Sequence, residues 1–284
     1  MQTCHPLAGV VRWINERELY LTIDLLGPRD PEPEGDDWVR LDRLPDRVPE
    51  LIDRLSAGVC QGHRTSAAAF LAGDLGLQVF GTASGIAYLT GRAPDLAAHL
   101  VWVRVHESGR LDRLAIRQGT AAVLTGDPMA RRPGVVVLPT ERDLDLWLAR
   151  SAAATLDPVT EAVRAHTRFG TRPQWSMMAD GPHAVVLAAA DEVGFDQSEA
   201  WERARRIVEL VNHDRPRVVP KQRPFPLALS GRPVHRPERV FLVRGGCCFY
   251  YKVGAQKCAS CPIATDTDRE TQLRTHYEVP APTA

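Results

Sequence analysis

Four cysteines fall close together near the C-terminal end, at Cys247, Cys248, Cys258 and Cys261. Four thiols so near one another are a poor way to fill a core. Four thiolates, however, complete the first shell of a tetrahedral metal ion or of an iron–sulfur cluster. Cys258-Ala-Ser-Cys261 has the C-x-x-C spacing that lets two sulfurs converge on one side of a turn, and Pro262 then stops the chain. Cys247 and Cys248 are adjacent. On a regular strand neighbouring side chains point to opposite faces, so two adjacent thiolates share a site only if the backbone leaves the strand. Gly245-Gly246 before them permits that departure, and Gly254 gives the intervening residues room to return. Zinc ribbons pair C-x-x-C with another spaced pair, so the vicinal pair favours an iron–sulfur cluster, whose ligands are spread over more than one iron. A structural zinc site and a vicinal disulfide or redox dithiol stay open as alternatives.

Arg244, Lys252 and Lys257 flank the thiols. Their charges would raise a cluster's potential and meet an anionic chelate or donor; otherwise they are solvated charge. Phe249, Tyr250 and Tyr251 would wall a cluster from water, with Tyr250 a candidate substrate contact, or simply pack.

A Gly-Cys-Cys-aromatic-Tyr segment followed after about ten residues by Cys-x-x-Cys-Pro resembles the [2Fe-2S] segment of the FhuF-like siderophore-iron reductases. That family's pattern has ten residues between the second and third cysteines; here Cys248 and Cys258 enclose nine. The resemblance covers the cysteine segment alone. It implies that Cys247, Cys248, Cys258 and Cys261 hold a [2Fe-2S] cluster in a cytoplasmic ferric-siderophore reductase. Such a protein takes one electron from a ferredoxin, a flavodoxin or their reductase and passes it to Fe(III) in an imported chelate, often a hydroxamate. Hard oxygen ligands hold Fe(III) far more tightly than Fe(II), so reduction lets the metal leave. The transfer is outer-sphere and needs no acid–base pair, and no catalytic side chain beyond the cluster is expected. The rival readings are an iron–sulfur carrier or redox sensor that never meets a siderophore, and a protein with a structural zinc knuckle.

The rest of the chain must position those thiols. Its 284 residues suffice for one large domain or two small ones. An apolar fraction of 44% argues for a packed core, and 35 basic against 35 acidic residues argue against a duplex nucleic-acid binder. The first twenty residues do not read as a secretory signal, and the longest uncharged stretch, Leu75 to Gly91, is short for a membrane span. The expected setting is a reducing cytoplasm, where cysteines serve as thiols or ligands rather than disulfides.

The pattern predicts an α+β fold, mainly helical, with a small antiparallel sheet and a C-terminal cysteine-rich iron–sulfur segment. Strands are expected at Glu18 to Leu25 and Val135 to Leu138, and a hairpin joins Leu100–Val105 to Leu111–Arg117. Helices are expected at Asp46 to Ala57, within Thr65 to Tyr88, from a Thr140 cap to Ala153, from Asp157-Pro158 onward, near Gln174 to Ala190 with a break at Gly181-Pro182, and at Gln197 to Val211. His213 to Arg239 holds six prolines and seven basic against two acidic residues. It reads as a connector without regular elements, or as a basic docking rim. A strand, Arg239 to Val243, leads into the cysteines. The expected division is a core over 1–212 with a possible siderophore-binding region, the connector over 213–239 and the cluster segment over 240–284.

Cys4 and Cys60 read as buried free thiols, and His63, His166, His183, His213 and His235 share no metal spacing. Trp175 to Asp180 reads as core, with a pocket wall as the alternative. No Ser–His–Asp order, phosphate loop or dinucleotide turn is visible; Gly81 to Gly85 lies inside an apolar helical stretch.

Overall fold

A computed structural model describes residues 5–17, 19, 21–232 and 236–278. Cys4, Glu18 and His235 lie outside the described residues. About half the chain is helical, and the sheets are small.

The Ala-rich stretch forms the centre. Helix α3 (Arg64–Leu75) passes through a π-helical stretch, Gly76–Gly81, into α4 (Thr82–Thr90). Gly76, Gly81 and Gly85 do not interrupt it. They admit a neighbour instead: a Cβ on Gly181 would lie 1.9 Å from the carbonyl oxygen of Gly76, so the two backbones cross in contact. Ala68, Leu71, Val79, Phe80, Ala83 and Ile86 are all fully buried there.

Around this axis pack α2 (Leu44–Gly58), α5 (Glu141–Thr167), α6 (Thr171–Met178), α7 (Asp180–Val193) and α8 (Gln197–Leu210). A short α1 spans Ala8–Asn15. Thr140 caps α5 by accepting from the Asp143 N–H at 3.2 Å. The helix then runs through Pro158, against the expected new start at Asp157. The carboxylate that would have capped that start is engaged elsewhere, accepting from Arg217 at 2.8 Å and from Trp175 Nε1 at 3.2 Å. Leu156, Val159 and Val163, each at most 1% exposed, anchor both sides of the proline. The break between α6 and α7 falls at Ala179, and Pro182 sits in the first turn of α7, where its missing N–H costs nothing.

Strands β1 (Ile23–Leu26), β5 (Leu111–Arg117), β4 (Val101–Val105) and β2 (Trp38–Arg40) form one sheet in that order, with β4–β5 the expected hairpin and β1 parallel to β5. Strands β3 (Arg92–Pro94), β6 (Ala121–Leu124) and β7 (Val135–Leu138) form a second, with β6 and β7 parallel. The third is the antiparallel pair β8 (Arg223–Ala228) and β9 (Glu238–Val243). Strand β8 lies inside the stretch expected to hold no regular element. Its Pro224 and Pro226 are two residues apart, so both turn their nitrogens to the open edge and no ladder bond is lost. Helix α9 (Asp266–Tyr277) closes on this pair through Leu227, Leu229 and Leu273. Among the described residues no helix is long and apolar enough to cross a membrane.

Candidate metal centre

Strand β9 delivers Arg244 and then a turn that lies flat on the α6–α7 junction. The Gly245 N–H donates to Asp180 Oδ1 at 2.8 Å, and Gln222 Nε2 donates to the same oxygen at 2.8 Å. A Cβ on Gly246 would stand 2.5 Å from Met177 Sδ and 3.0 Å from the Met177 backbone nitrogen, so only glycine fits without displacement. The backbone then leaves extended geometry, as two adjacent thiols on one site require. Phe249 takes φ +57°, and its N–H points at Cys247 Sγ, 3.4 Å away. A single 3-10 turn, Tyr250–Val253, and Gly254 at φ +82° reverse the chain toward Cys258. The Cys261 N–H closes on the Cys258 carbonyl at 2.9 Å, which makes C-x-x-C a turn.

Arg244 joins the two arms. Its N–H donates to the Ser260 carbonyl at 3.0 Å, and its Nη2 reaches Cys258 Sγ at 3.0 Å and Cys248 Sγ at 3.5 Å. Burial opposes its charge, but Cys258, Cys248 and Asp180 hold the guanidinium above the ordinary arginine value. All four thiols are free; Cys258 is exposed, Cys247 and Cys248 are half-buried, and Cys261 is buried. Burial pushes the Cys247 thiol up, opposed by the Phe249 N–H and reinforced by Cys248 and Cys261. Among the described residues no three His, Cys, Asp or Glu side chains converge on a single-ion position. The donor set nonetheless suits an iron–sulfur group: four thiols, two of them sharing one guanidinium and a third receiving a backbone N–H.

Of the other flanking groups, the Tyr250 ring stands edge-on to Phe70 at 5.2 Å and Lys252 Nζ lies 5.2 Å over Phe249. Lys257 is exposed. Cys60 is fully buried, and burial lifts its thiol to about 11. A cavity of about 550 Å³ opens beside the thiols, reaching Cys248 and Cys258. Phe70, Leu77, Phe241 and Tyr277 give it apolar walls, and Arg110, Arg239 and Arg244 add charge. Arg110 is held by Asp74 at 2.6 and 2.7 Å, and Arg239 lies 4.6 Å over Tyr277. Within Trp175 to Asp180 both readings hold: Trp175 is core, while Met177 and Asp180 line the cavity.

Sequence spacing does not reveal Asp180, Gln222, Arg110 or Arg269, because each reaches the site from a distant segment. Arg269, on α9, is fully buried and donates to the carbonyls of Ala259, Cys261 and Ala264.

Asp180 has a measurable consequence. Burial raises its carboxyl to about 7, against the bonds from Gln222 and Gly245. A carboxyl raised on folding binds more protons in the native state. Its stabilising contribution is therefore full below the unfolded value and is lost as pH rises through the folded one. The stability of the wild type relative to Asp180→Asn is expected to fall between about pH 4 and about pH 7 in urea unfolding. A difference independent of pH would remove the shift from this residue.

The cysteine segment is that of an iron–sulfur protein, and its cofactor is a [2Fe-2S] cluster. Residues 244–262, which contain all four thiols, match the family described as the FhuF 2Fe-2S C-terminal domain. The likeness to that family covers this segment alone. No curated protein matches the chain.

Proposed function

We propose that the protein is a ferric-siderophore reductase of the cytoplasm. Cys247, Cys248, Cys258 and Cys261 would hold the [2Fe-2S] cluster. When bound, the cluster supplies one-electron chemistry; the donor is a cellular carrier and the acceptor is Fe(III) in a chelate, of hydroxamate type, from which Fe(II) leaves. The observation that carries the reading is the cavity of about 550 Å³ against Cys248 and Cys258. It falls within the roughly 300–1,000 Å³ of small-ligand pockets. A carrier or sensor needs no such space.

The chain's own residues hold and orient. Arg244 offsets charge at two sulfurs, Asp180 and Gln222 fix the glycine turn, and Phe70, Phe241 and Tyr277 offer apolar faces to a chelator backbone. No proton transfer is required of any side chain. In this reading residues 1–212 build the far wall of the cavity, 213–239 brings in β8, and 240–284 carries the cluster.

The test is a visible spectrum of anaerobically purified protein, taken before and after dithionite and again after ferrioxamine. The expected result is absorbance that bleaches on reduction and returns with the ferric chelate. A bleached centre that ignores ferric hydroxamates would leave a carrier or sensor. A colourless protein holding about one zinc per chain would overturn the redox reading.

A further inference from the structure

The cysteine segment is open on two sides. Cys248 and Cys258 face the larger cavity, whereas Cys247 lines a second one of about 470 Å³ with Arg172, Pro173, Val219 and Lys221. No carboxylate lines this second cavity. Arg172, in the first turn of α6, and Lys221, just before β8, are both exposed, and neither forms an ion pair among the described residues. On the other side Arg110 and Arg239 are tied to Asp74 and Asp191. In a chain whose charges balance, two uncompensated cations on one wall set a local positive field. In the same lining Val219 is 65% exposed and Pro173 is also exposed. Exposed cations hold a small anion poorly, because water screens them. Cations around an apolar spot are instead what a brief, electrostatically steered protein encounter uses.

We propose that the Cys247 side is the electron-entry face, where a small acidic electron-carrier protein docks on Arg172, Lys221 and Val219. This rests on the cluster reading above. One electron leaves the carrier, which is oxidised, and is received at the centre held by the cysteines. It leaves on the Cys248–Cys258 side to Fe(III), which becomes Fe(II), and no proton moves. Carrier and chelate then occupy separate cavities and bind together.

The test compares wild-type holoprotein with the double variant R172E/K221E and with R142E, an exposed charge on α5. A plant-type [2Fe-2S] ferredoxin is the probe. Affinity between the two oxidised proteins is read by calorimetry, and reduction by reduced ferredoxin is read by stopped flow. The double variant is expected to lose about tenfold or more in both at low salt, with the difference fading as ionic strength screens the charges. R142E is expected to match the wild type, and reoxidation by ferrioxamine is expected to be unchanged in all three. The proposal is overturned by an unchanged double variant, by an equal loss in R142E, or by a wild type that binds phosphate here but not ferredoxin. Absence of dithionite bleaching in the wild type would instead remove the cluster reading beneath it.

Discussion

Replacing Arg269 with Leu is expected to cost the protein both several kcal/mol and its hold on the cluster. The guanidinium is fully buried. Nη1 and Nη2 each donate to the Cys261 carbonyl at 3.2 Å, Nη2 also to Ala264 at 3.2 Å, and Nη1 to Ala259. Nε donates to Asp266 at 3.3 Å. Those three carbonyls belong to the turn that carries Cys258 and Cys261. Leucine fills part of the volume but donates nothing. The Cys261 carbonyl keeps the Ala264 N–H at 3.2 Å, but those of Ala259 and Ala264 lose their donor. Each carbonyl left unpaired costs about 1–3 kcal/mol, so a loss of about 2–6 kcal/mol is the natural scale. Lysine at the same position is expected to recover little, since one ammonium cannot span a fork of three acceptors. The measurements are urea unfolding and the rate at which visible absorbance decays in air. An Arg269→Leu protein within about 1 kcal/mol of wild type that keeps its colour as long would show that the turn stands without this side chain.

What was legible in the sequence is what neighbouring residues decide. The β4–β5 hairpin, the Thr140 cap and helix α8 follow from turn residues, a capping hydroxyl and an apolar stripe, and each is present. The misreadings share one cause, a local signal overruled from a distance. Asp157-Pro158 has the chemistry of a helix start, yet Arg217 and Trp175 take its carboxylate and the core keeps α5 whole. The prolines of 213–239 looked incompatible with a strand, but β8 is an edge strand whose alternate positions tolerate them. The glycines of 76–85 left the helix boundaries within Thr65 to Tyr88 undecided, because the backbone of α7 that they admit lies about a hundred residues further along.

The same division runs through the site. The thiols and Arg244 were visible because one short segment carries them. The groups that fix this segment come from elsewhere: Asp180 from the start of α7, Gln222 from before β8, and Arg269 from α9. Nothing in the spacing of an Asp or an Arg announces that it will be buried against a turn. Gly245-Gly246 showed only that the backbone could leave the strand; that it presses on Met177 is decided by the fold.

Serine in place of any one of Cys247, Cys248, Cys258 and Cys261 is expected to remove most of the bound iron, while Cys60→Ala leaves it. Cys60 is the informative control because it is buried, free and near enough to Cys248 for the two to influence each other electrostatically. If nearness to the site were enough, the Cys60 variant would fail too. The proposed ligand set says that spacing decides: Cys60 reaches the site from the end of α2, and burial keeps its thiol protonated. The four variants are not expected to be equal. Cys261 is buried, so water cannot replace its sulfur, and its loss is expected to be the most complete. Cys258 is exposed and its Sγ lies 3.5 Å from Ser260 Oγ, so a neighbouring oxygen stands ready and a shifted, weaker spectrum is expected there. Iron and sulfide per chain, read with the visible spectrum, separate these outcomes. A Cys60→Ala protein without iron, or a Cys261→Ser protein with a full complement, would reassign the ligands.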